Sequence, residues 1–133
     1  VGGALGGADI AQDDREKYAL AALSEQLDED GSDATDFYDH YTTQLSSKKY
    51  GMQIDGKTWT YVDIYRQFLK LHAKHPKALL IWAVDYPNYT KHGNAADYYV
   101  ILSGESFDTV DAASAWCTAN GYGTGDCMAV DLE

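Results

Sequence analysis

The stretch TVDAASAWCTANGYGTGDCMAVDL, residues 109–132, carries the most structural information in this chain. Thr109 can cap a helix, with Asp111 in its first turn and Gly121 past its end. A turn rich in glycine follows from Gly121 to Gly125, and the apolar residues after Cys127 predict a strand over 128–132. Both cysteines of the chain, Cys117 and Cys127, fall in this one helix–turn–strand unit, ten positions apart. Thiols so placed can close a small ring. They could also serve as metal ligands or a redox pair, but neither a C-x-x-C spacing nor a third ligand accompanies them. A structural disulfide is the better reading, contributing about 2–3 kcal/mol. It implies an oxidising compartment, and so a domain that works outside the cytoplasm.

Working outward, 98–103 reads as a strand and 79–84 as a continuous apolar run, the pattern of a strand buried on both faces. Between the run and the cysteine unit lies an irregular loop with Pro87 and Gly93. Upstream of the run, Asp63 is expected to cap an amphipathic helix that Pro76 stops. Ile64, Phe68 and Leu71 form one stripe of this helix, flanked by Tyr65, Leu69 and His72. The segment 54–59 reads as a turn between extended residues, and 37–45 as a strand rich in Tyr, Thr and Phe. A charged helix is expected from Ala11 to about Leu27, with Tyr18, Leu20, Leu23 and Leu27 at helical spacing and an acidic turn, 28–33, ending it. Residues 1–10 read as a flexible linker, leaving 11–133 as one α+β domain. After the first helix the order is strand, helix, strand, strand, helix, strand. This is the split βαβ, ferredoxin-like pattern: two helices on one face of a four-stranded antiparallel sheet, the other face free. The N-terminal helix is extra and could cover that face or an edge.

The 133 residues, 45% of them hydrophobic, suffice for one core. A net charge of −11 repels nucleic acid and anionic lipid heads, so neither is an expected partner. The longest apolar run is a third of what a bilayer requires, and 1–8 lacks the basic start and apolar core of a signal peptide. A targeting or anchoring segment is therefore expected upstream of Val1.

Several motifs imitate known chemistry. Residues 51–58 satisfy the P-loop pattern, but Met52, Gln53 and Ile54 fill the loop and Asp55 sets a negative charge where phosphate would sit. A hairpin turn at Asp55-Gly56 explains the stretch better, and no nucleotide is expected. Ser46 and Lys49 have the Ser-x-x-Lys spacing of acyl-transfer enzymes, without the further motifs or the larger fold. Residues 26–37 resemble a calcium loop with Gln26 at its first position and Phe37 where a bidentate Glu belongs. His72 and His75 could share a helix face but lack ligand partners. No cofactor or metal is expected, and no acid–base pair is fixed by spacing, so the domain is read as non-enzymatic.

The remaining lead is aromatic. Eleven tyrosines and three tryptophans are many for this length, and Trp59, Trp82, Tyr86, Tyr89, Tyr98 and Tyr99 gather mid-chain. Rings on an open sheet face would make a platform for sugars or a partner's apolar surface; otherwise they are core. Alternation groups Trp82 with Leu80 and Val84, which favours burial.

Gln44-Leu45-Ser46-Ser47-Lys48, Gly51 with Asp55-Gly56, the run 80–85, Tyr98-Tyr99-Val100, Ala115-Trp116-Cys117 and Cys127-Met128-Ala129 together resemble a family of domains. It is found at the extracytoplasmic C-terminal end of actinobacterial membrane proteins, including some serine/threonine protein kinases. The likeness spans about residues 20–130, and the Trp-Cys…Cys ending is its most specific part. It implies an outward-facing sensing or interaction module with Cys117 and Cys127 paired. Tyr86 and Tyr99 stand where the family pattern would place Trp. The βαββαβ order is also similar to the sporulation-related repeat (SPOR) domain, which binds peptidoglycan glycan across its sheet. Two readings follow. One is a cell-wall glycan binder using Trp59, Tyr86 and Tyr99 with polar partners Gln44, Ser46 and Lys48. The other is a protein-interaction or dimerisation module of the envelope.

Overall fold

Four consecutive apolar residues, Leu79-Leu80-Ile81-Trp82, cannot send alternate side chains to water, so this strand must lie between two buried layers. The computed structural model of the chain, which describes residues 12–34, 40–83, 98–122 and 126–130, shows that arrangement. Helix α1 (Gln12–Ala34) precedes strand β1 (Thr42–Lys49), a short hairpin of β2 (Gln53–Ile54) and β3 (Lys57–Thr58), and helix α2 (Tyr61–Lys74). Strands β4 (Leu79–Trp82) and β5 (Tyr98–Leu102), helix α3 (Val110–Ala119) and strand β6 (Met128–Val130) complete the order. Strands β4, β5, β1 and β6, in that spatial order, form an antiparallel sheet. The architecture is mixed α+β, with three helices among the described residues, and is compatible with a ferredoxin-like arrangement.

One face of the sheet carries Leu45, Leu80, Tyr99 and Ile101, packed with Leu23 of α1, Phe68 of α2 and Cys117 of α3. Full burial of each large apolar side chain contributes about 1.5–3 kcal/mol. The opposite face was expected to be free and is not: Leu79, Ile81, Val100, Leu102 and Val130 are all buried there. Among the described residues, no helix contributes to that second cluster.

Helix α1 departs from expectation in two ways. It runs straight through the acidic segment 28–33 to Ala34, which removes the calcium-loop reading. Its buried seam is Ala19, Ala22 and Leu23, while Tyr18 and Leu20 are exposed. Both differences have one cause. Alanines let the helix approach β4 and α2 closely, and two turns later Asp30 Oδ2 accepts the N–H of Leu80 at 2.8 Å. The extra helix therefore covers an edge of the sheet, occupying a backbone donor that would otherwise invite another strand. Gly31 is helical, and a Cβ built there meets nothing within 4 Å. Gly31→Ala is expected to raise stability by about 0.5–1 kcal/mol, read from urea unfolding midpoints.

Strand β1 begins at Thr42, five residues later than its predicted start; Phe37 lies outside the described residues, as do Val84 and Leu132. Two of its polar residues are buried with partners. Thr43 Oγ1 donates to Ser103 Oγ at 2.6 Å and Ser46 Oγ donates to Gln67 Oε1 at 2.8 Å. A bulge between Gln44 and Ser46 follows from the register, Gln44 facing Leu102 and Ser46 facing Ile101. Helix α2 is capped by Thr60 rather than Asp63. Asp63 is its third residue, and its Oδ2 accepts from both the N–H and the hydroxyl of Thr60, each at 3.0 Å. Glu16 of α1 accepts the next orphan donor, Tyr61 N–H, at 2.9 Å.

The P-loop imitation is a hairpin. Gln53 pairs Thr58 and Ile54 pairs Lys57, with Asp55 and Gly56 at φ +53° and +81° in the turn. The cysteine unit follows its sequence closely. Thr109 accepts from Ala112 N–H at 3.1 Å, α3 ends at Ala119, Gly121 takes φ +82°, and Cys117 and Cys127 form a disulfide across 5.7 Å between Cα atoms.

Candidate functional site

Register fixes the aromatic side chains that matter most. Trp82 of β4 lies opposite Tyr99 of β5, which lies opposite Lys48 of β1. The rings of Trp82 and Tyr99 meet edge to face at 4.7 Å. Tyr61, the first residue of α2, sets its ring edge-on to Tyr99 at 6.4 Å. Tyr50, in the turn after β1, stacks on Tyr61 at 4.4 Å. Tyr50, Tyr61, Tyr99 and Trp82 thus form one unbroken row, from an exposed ring through a buried one to a half-buried indole. Glu16 and the Thr60–Asp63 capping pair hold Tyr61, the row's second ring, in place.

At its Trp82 end the row opens on a recess of about 350 Å³ between α1 and the sheet, lined by Ser24, Leu27, Asp28, Trp82 and Tyr99. Ser24 and Asp28 stand four apart on α1 and are exposed, so a hydroxyl and a carboxylate face an aromatic wall.

Beside the row lies a polar cluster. Lys48 Nζ donates to Ser46 Oγ at 3.1 Å and sits 5.2 Å from the centre of the Trp59 ring. Burial lowers the Lys48 pKa, opposed by the charge of Asp126. Ser46 is buried and gives its proton to Gln67, so Lys48 is anchored on the serine oxygen and the hydroxyl is kept from solvent. Lys57 Nζ lies 4.9 Å from the same Trp59 ring and pairs with Asp63 at 3.2 Å. For Asp63, burial works to raise the pKa. Hydrogen bonds from Thr60 and Lys57, with the Lys57 charge, outweigh it and hold the carboxyl below its ordinary value.

Ser46, Lys48, Trp59 and Tyr99 therefore lie in one neighbourhood. Tyr99 belongs to the helix-covered face and is only 6% exposed, so its role is to brace Trp82 and Tyr61. Gln44 faces the other way, because the bulge puts it on the Leu102 side of the sheet. Tyr86 and Tyr89 fall outside the described residues. Sequence reasoning missed Tyr50, Tyr61, Ser24 and Asp28. The spacing of Ser24 and Asp28 becomes a signal only once 28–33 is read as helix.

A second polar contact lies near the disulfide. His75, at the end of α2, shares a 2.6 Å hydrogen bond with the hydroxyl of Tyr122 and packs against Trp116. Burial, and then the charge of Lys74, lower the His75 pKa, against an opposing pull from Glu105. Because the folded value is depressed, the stabilisation is complete above the unfolded value of 6.5 and is lost as pH falls through the folded value. The stability gap between the natural protein and His75→Asn is expected to narrow from about pH 7 to about pH 5, measured by urea unfolding at each pH.

Among the described residues, no group of three or more His, Cys, Asp or Glu could hold a metal ion. No described helix is long and apolar enough to cross a membrane, and the disulfide is compatible with an oxidising extracellular compartment. No protein-family model, curated protein or solved structure matches the chain.

Proposed function

We propose that this is a non-catalytic, extracytoplasmic sensing and binding domain with a ferredoxin-like fold, held at the cell surface by an upstream anchor, and that its ligand is cell-wall glycan. The observation that carries this reading is the row Tyr50–Tyr61–Tyr99–Trp82 ending in a recess with Ser24 and Asp28. An N-acetylated sugar has apolar C–H faces that stack on rings, and hydroxyl and amide edges that need a few fixed polar partners. An aromatic wall with one carboxylate and one hydroxyl offers both. Tyr50 is exposed and Trp82 half-buried, so a linear oligosaccharide meets the row at these two ends, which the buried Tyr99 braces from beneath. The likeness to extracytoplasmic domains of kinase-associated membrane proteins, and the SPOR-like strand order, fit such a wall-facing role.

The test is a titration with tri-N-acetylchitotriose followed by NMR. The Trp82 indole N–H and the Tyr50 ring are expected to shift together, and Tyr50→Ala to weaken binding about tenfold, as loss of an aromatic anchor does. Saturating sugar that shifts neither group would exclude the reading.

A further inference from the structure

Charge is distributed very unevenly along this acidic chain. Residues 40–83 hold seven of its ten Lys and Arg residues but only two of its 21 carboxylates, Asp55 and Asp63. Three of those cations, Lys57, Arg66 and Lys70, line one cleft of about 410 Å³ between β3 and the outer flank of α2, with Trp59 as its apolar wall. The one carboxylate in the cleft, Asp63, is already engaged by Lys57 and by Thr60. Arg66 and Lys70 form no ion pair among the described residues. Together with Lys74 they repeat every four residues along α2, a column of like charge that weakens an isolated helix. The fold gains nothing evident from this arrangement, whereas an anion seated between the cations would relieve the repulsion.

We infer that the Trp59 cleft is a second binding site, which takes a carboxylate borne by a small organic ligand, with Arg66 as the fork that receives it and Lys70 and Lys57 as flanking charges. Guanidinium matches a carboxylate with two parallel hydrogen bonds, and the indole wall suits the apolar body beside it. The identity of the ligand rests on the glycan reading: a wall fragment can present such a group as a sugar-acid ether or as the free end of a peptide stem. Lys48 stands between the two sites: it lies opposite Tyr99 of the ring row, and its Nζ sits 5.2 Å from the centre of the Trp59 ring.

Four probes separate the possibilities on the intact domain, with the Trp59 indole and Arg66 side-chain signals as readout. N-acetylmuramic acid and D-alanyl-D-alanine carry the carboxylate from the two sources, N-acetylglucosamine lacks it, and inorganic phosphate is an anion of other geometry. At least one carboxylate probe is expected to bind about tenfold more tightly than N-acetylglucosamine, and the exposed double substitution Arg66→Gln/Lys70→Gln to abolish that preference. Whichever carboxylate binds identifies the source. Equal binding of acid and neutral sugars, or phosphate binding as tightly as either carboxylate, would overturn the inference, as would a preference unchanged in the double variant. The Trp82 and Tyr50 signals report the glycan row separately, so chitotriose can fail there while the cleft holds its anion, or the reverse.

Discussion

Gly104→Ala is expected to cost more than about 3 kcal/mol and leave the domain largely unfolded. Gly104 follows β5 at φ +78°, a conformation that side chains resist. A Cβ built there would lie 1.8 Å from the carbonyl oxygen of Lys77 and 2.6 Å from its carbonyl carbon. Both are backbone atoms, so no rotamer change relieves the clash. The chain around Lys77 leads directly into β4, and Ser103, next to Gly104, is fully buried and bonded to Thr43. Any shift that accommodates the methyl group must disturb the end of β5 or the start of β4. Gly121→Ala is the control. Its φ is nearly the same, +82°, but nothing lies within 4 Å of the built Cβ, so only the conformational cost of about 1 kcal/mol is expected. Urea unfolding followed by circular dichroism distinguishes the two. Equal midpoints for both variants would mean that the β5–β4 approach is looser than described.

Asp30→Ala is expected to cost about 3 kcal/mol, whereas Asp30→Asn costs about 1 kcal/mol or less. Asp30 is 6% exposed, accepts Leu80 N–H at 2.8 Å, and accepts Gln26 Nε2 at 3.0 Å. Alanine removes both bonds and leaves the β4 donor buried beneath α1 with no acceptor. Asparagine keeps one oxygen of the same reach. Hydrogen exchange at Leu80 is the sharper readout, since its amide should lose protection in the alanine variant before the rest of the sheet does. If Asp30→Ala exchanges there as the natural protein does, α1 is held by its alanine seam alone.

These two positions also show why parts of the fold were legible in the sequence and others were not. The helix–turn–disulfide–strand unit is local: Thr109, Gly121 and the cysteines act on neighbours within a few residues, so their sequence meaning survives folding. The hairpin at Asp55-Gly56 and the continuous apolar strand β4 are legible for the same reason. Helix α1 looks finished at Asp28 because acidic residues in series favour solvent. It continues because Asp30 finds a donor fifty residues away, which no local pattern announces. Strand β1 is displaced from its predicted place by polar residues. Thr42, Thr43 and Ser46 are polar, yet all three are buried, Thr43 and Ser46 bonded to Ser103 and to Gln67 of α2. The site divides likewise. Composition drew attention to Trp59, Trp82 and Tyr99, while the row itself depends on cross-strand register and on where α2 begins. Tyr50 and Tyr61 therefore become meaningful only in three dimensions.

The central claim is that this domain holds cell-wall glycan on the Tyr50–Trp82 row. Co-sedimentation with purified sacculi tests it most directly, comparing the natural protein with Tyr50→Ala/Asp28→Asn, whose two positions are solvent-exposed and so leave the core intact. The account predicts that the natural domain pellets with the sacculi and that the folded double variant stays in the supernatant. A natural domain that remains in solution, or a double variant that pellets equally well, would contradict it.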